Sequence, residues 1–128
     1  MGELELSIQD FDMAIKLDDK NPIIYSNRGL VNRKLERFEN AIKDYSNEIK
    51  FGMEQDSKSS MNIKAFNNRA YCLAKLSRYQ AAIKEYSAVI KQDKKNIHAL
   101  HNRGISFERL GKYKDAVRDF TNVIDIDP

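Results

Sequence analysis

Apolar side chains recur along this chain three and four residues apart, the period of a helix with one buried face. Near the end, Val117, Phe120, Val123 and Ile124 share a face of a helix predicted over Tyr113 to Ile126. Leu100, Phe107 and Leu110 do the same on a helix from Ile97 to Leu110. The pattern predicts five more helices: Glu3 to Leu17, Pro22 to Leu35, Phe38 to Phe51, Met61 to Leu76 and Tyr79 to Lys91. Start signals support it, since Asn21 and Asn96 can cap orphan amides and Pro22 suits a first turn. Gly52 can end one helix and Ser59 or Ser60 can begin the next. The links Glu36-Arg37, Ser77-Arg78 and Gly111-Lys112 are so short that the helices they join must be antiparallel neighbours.

The pattern is also a repeat, the first thing to look for in a helical chain. YSNRGLVNRKLERFENAIKDYSNEI from Tyr25, FNNRAYCLAKLSRYQAAIKEYSAVI from Phe66 and LHNRGISFERLGKYKDAVRDFTNVI from Leu100 align, offset by 41 and then 34 residues. Leu4, Ile8, Asp10, Phe11 and Ile15 form a partial copy 34 residues ahead of Phe38, Ile42, Asp44, Tyr45 and Ile49. The chain thus divides into the second helix of a partial repeat over 1–21 and three fuller repeats over 22–62, 63–96 and 97–128. The first of these carries seven extra residues within GMEQDSKSSM, which either lengthen the helices or form a loop. Gly29, Ala70 and Gly104 recur on the first helix of each pair, and Ala41, Ala82 and Ala116 on the second. Small side chains there let paired helices approach closely. Helices this short are marginal alone, so stacking of units must stabilise them.

Leu100, Gly104, Phe107, Tyr113, Ala116, Phe120 and Pro128 stand at the signature places of the tetratricopeptide repeat, which the chain resembles over nearly its whole length. Phe66, Ala70, Leu73, Tyr79, Ala82 and Tyr86 match in the middle repeat. Tyr25, Gly29, Phe38, Ala41 and Tyr45 match in the one before it, with Asn32 where an aromatic is usual. The resemblance implies an all-α fold, a right-handed superhelical solenoid of antiparallel helix pairs in one domain. Members usually close with a polar capping helix. The chain ends without one, leaving Phe120, Val123, Ile124 and Ile126 poorly covered. The expectation is a fragment of a longer protein, or ends that stack on other copies.

Composition narrows the rest. Twenty-two basic against 19 acidic side chains leave a net charge of +3, too mild to imply nucleic acid. No apolar run approaches the roughly 18 residues of a membrane span, and the acidic start MGELELSIQD is no signal peptide. A single cysteine excludes a disulfide framework and suits a reducing compartment, so a cytoplasmic location is expected. No glycine-rich phosphate loop, nucleophile elbow or metal-ligand cluster is present, so no enzyme, cofactor or metal is expected.

The resemblance implies a groove lined by the first helix of each repeat that receives a peptide. Asn27, Asn68 and Asn102 hold the same place in three successive repeats. An amide offers donors and an acceptor, matching the main chain of an extended peptide. They can equally bond between adjacent helices. Further groove candidates are Arg33, Lys34, Lys64, Tyr71, Lys75, His98, His101 and Arg109. This set is basic and favours an acidic or carboxyl-ended peptide. Tyr71 can pack in the core or stack on a ligand. His98 and His101 lack further ligands and make a weak metal pair.

Co-chaperones of the family hold a terminal carboxylate with cations and amides at fixed places. Those places here carry Ser26, Leu30, Asn68, His98 and Asn102, and only Asn68 agrees. Arg28, Arg69 and Arg103 each precede an acid by sixteen residues (Asp44, Glu85, Asp119), which reads as a row of structural ion pairs. The expected function is a non-enzymatic scaffold binding a peptide or protein segment. The alternatives are self-association through terminal helices and a variant co-chaperone binding acidic C-terminal peptides.

Overall fold

The computed structural model describes residues 2–56 and 61–128. Among the described residues there are seven helices and no strand: α1 (Glu3–Leu17), α2 (Pro22–Lys34), α3 (Phe38–Gln55), α4 (Ile63–Lys75), α5 (Tyr79–Gln92), α6 (Ile97–Arg109) and α7 (Tyr113–Ile126). They fall into two compact units, Met1–Ala65 and Phe66–Pro128. In the first, α2 packs against both α1 and α3; in the second, α6 packs against both α5 and α7.

Asparagine starts the first helix of each pair. Ile23 N–H donates to Asn21 Oδ1 at 3.0 Å, and Ala99 N–H to Asn96 Oδ1 at 2.9 Å. The start of α4 corrects the reading from sequence. Its cap is Asn62, which accepts from Ala65 N–H at 3.0 Å, whereas Ser59 and Ser60 lie outside the described residues. Gly52 does not end α3. The helix runs one turn further to Gln55, whose Nε2 donates to Lys20 O at 2.9 Å and anchors the added turn. Part of the insertion is therefore helix.

Each pair closes with the same turn. Glu36, Ser77 and Gly111 sit at φ of 59°, 61° and 76°. The next amide, on Arg37, Arg78 and Lys112, donates to Asn32 O, Leu73 O and Phe107 O at 2.8 to 2.9 Å. These bonds satisfy carbonyls that a helix end leaves open. Only the third turn uses glycine. The other two carry left-handed strain of about 1–2 kcal/mol each, which the packing beyond the turn must outweigh.

Close approach of the paired helices depends on the small residues. Ala41, Ala70 and Ala82 are fully buried. A Cβ added to Gly104 would lie 2.7 Å from the Phe120 ring, so α6 and α7 touch where only hydrogen fits. Tyr45, Tyr86, Val89 and Leu100 fill the core around these contacts.

Ion pairs lock the result. Arg28 Nη2 lies 2.7 Å from Asp44 Oδ1, Arg69 Nη2 2.6 Å from Glu85 Oε1, and Arg103 Nη2 2.7 Å from Asp119 Oδ1. Asp44 and Asp119 are almost completely buried, so each needs its partner. Arg28 also reaches back to Asp12 on α1 at 2.9 Å, and Arg103 to Ser87 Oγ on α5 at 3.1 Å. One guanidinium thus ties three successive helices. Burial works against the Arg28 charge, but Asp44 and Asp12 outweigh it and hold the group above its ordinary range. Asn32, buried at the usual aromatic place, donates from Nδ2 to Asp44 Oδ2 at 2.8 Å. It gives the buried acid a donor besides Arg28.

Arg103→Met should therefore destabilise the protein by about 3 kcal/mol in urea denaturation, because Asp119 stays buried without its cation. Adding Asp119→Leu should recover most of the loss, since both charges are then gone.

Candidate functional site

The first unit holds a shallow cavity of about 250 Å³ lined by Pro22, Ile23, Ser26, Glu48, Gly52 and Asn62. Asn62 Nδ2 donates to Glu48 Oε2 at 3.0 Å, so the residue capping α4 also binds α3. Burial pushes the Glu48 carboxyl above the ordinary carboxylate range, against the opposing pull of Asn62, Ser26 and the Lys64 charge. Lys64 is exposed and faces this acid. Asn27 and Lys34 are exposed on α2 and Arg33 is half-buried there. None of Asn27, Arg33, Lys34 and Lys64 lines this cavity.

The second unit brings more of the candidates together. A cavity of about 420 Å³ lies between α4, α5 and α6, lined by Tyr71, Ala74, Lys75, Tyr79, Tyr86, Asn102, Ile105, Ser106 and Arg109. Four of these, Tyr71, Lys75, Asn102 and Arg109, are groove candidates from the sequence. Lys75 Nζ stands 5.5 Å from the centroid of the Tyr71 ring, a cation–π contact that places the ammonium at the rim. Tyr71 is therefore a wall residue of the cavity, half-buried, while its neighbour Cys72 is fully buried. Asn102 Nδ2 donates to His98 O within its own helix at 2.8 Å, so part of that amide is already engaged. Asn68 is half-buried on α4 and also has an interaction of its own.

The two histidines part company. His98 packs on Tyr86 of α5, with ring centroids 6.3 Å apart, and His101 on Phe120 of α7 at 5.9 Å. Facing different helices, they do not form a ligand pair. No group of three or more His, Cys, Asp or Glu suited to a metal occurs among the described residues. No helix there is long and apolar enough to cross a membrane.

Sequence reasoning missed Ser106 and the cavity role of Tyr86. A signal existed for the first: Ser106 aligns with Val31 and Cys72, a hydroxyl in an otherwise apolar column. Tyr86 reads as a core aromatic, which its complete burial also makes it. Burial, helped by Cys72 and Tyr71, pushes its phenol well above the ordinary range, so it stays a neutral donor.

Antiparallel helix pairs repeating in series define a helical-repeat protein. A family model described as tetratricopeptide repeat matches residues 63–96 and 97–128, a little over half of the chain. The chain belongs to the tetratricopeptide repeat family, and its fold is the all-α solenoid class of that family. Solved structures of similar fold include MamA, 18% identical with a TM-score of 0.86, covering 99% of this chain and 70% of that one. A MamA fragment from Desulfovibrio magneticus is 15% identical with a TM-score of 0.85, covering 99% and 68%. The tetratricopeptide domain of Arabidopsis OM64 is 26% identical with a TM-score of 0.73, covering 84% and 83%. No curated protein matches the sequence. Repeats of this family are in general non-enzymatic scaffolds for protein–protein interaction.

The raised carboxyl of Glu48 sets a pH dependence. The folded state holds its proton more tightly than the unfolded state, so its contribution is favourable at low pH and is lost as pH rises through the folded value. Glu48→Gln should remove this decline. Its stability relative to the unaltered chain, measured by urea denaturation, should increase between pH 4 and pH 7.

Proposed function

We propose that this chain is a non-enzymatic scaffold that binds an extended peptide or protein segment along the first helices of its repeats, α2, α4 and α6. The observation that carries the reading is the cavity of the second unit. It is open, it gathers Tyr71, Lys75, Asn102 and Arg109 from α4 and α6, and no acid is among the described residues that line it. Asn27, Asn68 and Asn102 recur at one place in successive repeats and supply amide donors and acceptors for a ligand's main chain. The further groove contacts assigned are Arg33, Lys34, Lys64, His98 and His101. Lys75 and Arg109 support an acidic or carboxyl-ended ligand, with charge raising the association rate more than the affinity. They also support the variant co-chaperone reading, although the usual clamp places hold no cation. The setting proposed is the cytoplasm, supported by a single, buried cysteine.

Binding of a fluorescein-labelled twelve-residue acidic peptide, followed by polarisation, tests the scaffold. Asn68→Ala and Asn102→Ala should each weaken it about fivefold, the worth of one hydrogen bond. Unchanged affinity in both removes the asparagines from the site.

A second reading is self-association, favoured by the apolar surface of α7 and α1. Tyr113, Val117 and Ile124 on α7 are each more than 60% exposed, and Met13 and Leu17 on α1 likewise. Sedimentation velocity should show mass rising with concentration, and Val117→Asp with Ile124→Asp should abolish the rise. A concentration-independent monomer overturns this reading.

A further inference from the structure

Helix α1 aligns with the second helix of each later pair and carries the same three places that receive a first helix. Ser7, Asp10 and Phe11 stand where α3 has Ala41, Asp44 and Tyr45, α5 has Ala82, Glu85 and Tyr86, and α7 has Ala116, Asp119 and Phe120. In those pairs the acid binds Arg28, Arg69 or Arg103, and the residue after each arginine is Gly29, Ala70 or Gly104. A Cβ on Gly29 would lie 3.0 Å from the Tyr45 ring, and one on Gly104 2.7 Å from the Phe120 ring. The small residue therefore sits against the aromatic while the arginine takes the acid. On α1 this arrangement is half made. Asp10 is exposed, and its carboxylate enters no ion pair or hydrogen bond among the described residues. Phe11 is half-buried, whereas Tyr45 and Tyr86 at its place are sealed.

The surface around Asp10 also departs from the other second helices. Leu6 and Met13 share its face, one turn to either side, and are 49% and 62% exposed. Their places carry Asn40, Ala81 and Asp115, and Asn47, Ala88 and Asn122, on α3, α5 and α7. Large apolar side chains thus flank an unpaired acid where the other helices are small or polar, and covering them is favourable.

We propose that α1 is a docking face for a helix of another protein, one that carries arginine followed by glycine or alanine. The arginine pairs with Asp10, the small residue lets the helix close on Ser7 and Phe11, and Leu6 and Met13 are covered by its apolar flanks. An exposed ion pair alone contributes little; joining it to a close approach makes the face selective. Charge suits such a partner, since Glu3, Glu5, Asp10 and Asp12 outnumber Lys16 on α1. A folded second copy cannot supply the arginine, because Arg28, Arg69 and Arg103 are each bound to an acid of their own pair. The face lies apart from α2, α4 and α6 and does not rest on the peptide groove.

A capped peptide of residues 97–110 is the probe, since it presents Arg103 and Gly104 on a first-helix sequence. Titrated into the isotope-labelled full chain and followed by NMR, it should shift the Ser7, Asp10 and Phe11 amides in a saturable way. The same peptide with Arg103→Met should bind about tenfold more weakly, the loss of a charged hydrogen bond. With Gly104→Leu it should not bind. Asp10→Asn in the chain should cost the parent peptide the same tenfold and the Arg103→Met peptide nothing further. Leu6→Asn with Met13→Asn, the side chains α3 has at those places, should weaken both peptides. Leu6, Asp10 and Met13 are exposed, so these changes spare the fold. Shifts that miss α1, or equal affinity for the parent and Arg103→Met peptides, overturn the docking face. Self-association that sedimentation detects without peptide and Asp10→Asn abolishes also overturns it, because a second copy is then the occupant. Either failure leaves the groove reading standing, since α1 supplies none of its residues.

Discussion

Each helix pair depends on a guanidinium bound to a carboxylate sixteen residues along the chain. Arg28 with Asp44 and Arg103 with Asp119 bury the acid almost completely, and Arg69 with Glu85 repeats the contact with a somewhat less buried acid. A slip of one residue would leave a buried charge with no counter-charge, so the bond fixes register as well as contact. It needs helices that lie close together, which Gly29, Ala41, Gly104 and Ala116 permit. Because its partners are near in sequence, each pair assembles from local contacts, a topology that favours fast folding.

Most of the fold was legible because it is written three times. The two outermost helices, Glu3–Leu17 and Tyr113–Ile126, run as the apolar period predicts, and Asn21 and Asn96 cap as their residue type suggests. The errors gather where one repeat departs from the others. Gly52 looks like a stop because a glycine often is one. Gln55 holds the extra turn by reaching Lys20, thirty-five residues away, and no local pattern contains that contact. Glu36 and Ser77 occupy left-handed turns that residue preference assigns to glycine. The repeat itself, with Gly111 in the same column, was the better guide.

The candidate site was legible only in part. Tyr71, Lys75, Asn102 and Arg109 were placed on the groove side of their helices by the family resemblance. Their convergence on a single recess depends on how α5 packs beside them, since it brings Tyr79 and Tyr86 into the wall. The histidines illustrate the reverse. Three residues apart, they look like neighbours, yet packing turns one toward α5 and the other toward α7. Spacing places side chains on a helix, and tertiary contacts decide what they meet.

The chain's one cysteine lies midway along α4 with its side chain sealed from solvent. An alkylating reagent can reach that sulfur only when the helix lifts or unwinds. The rate of its modification is thus a clock for local opening of α4, the helix that contributes Tyr71 and Lys75 to the recess. A guest wedged beside this helix would slow the clock without ever touching the thiol.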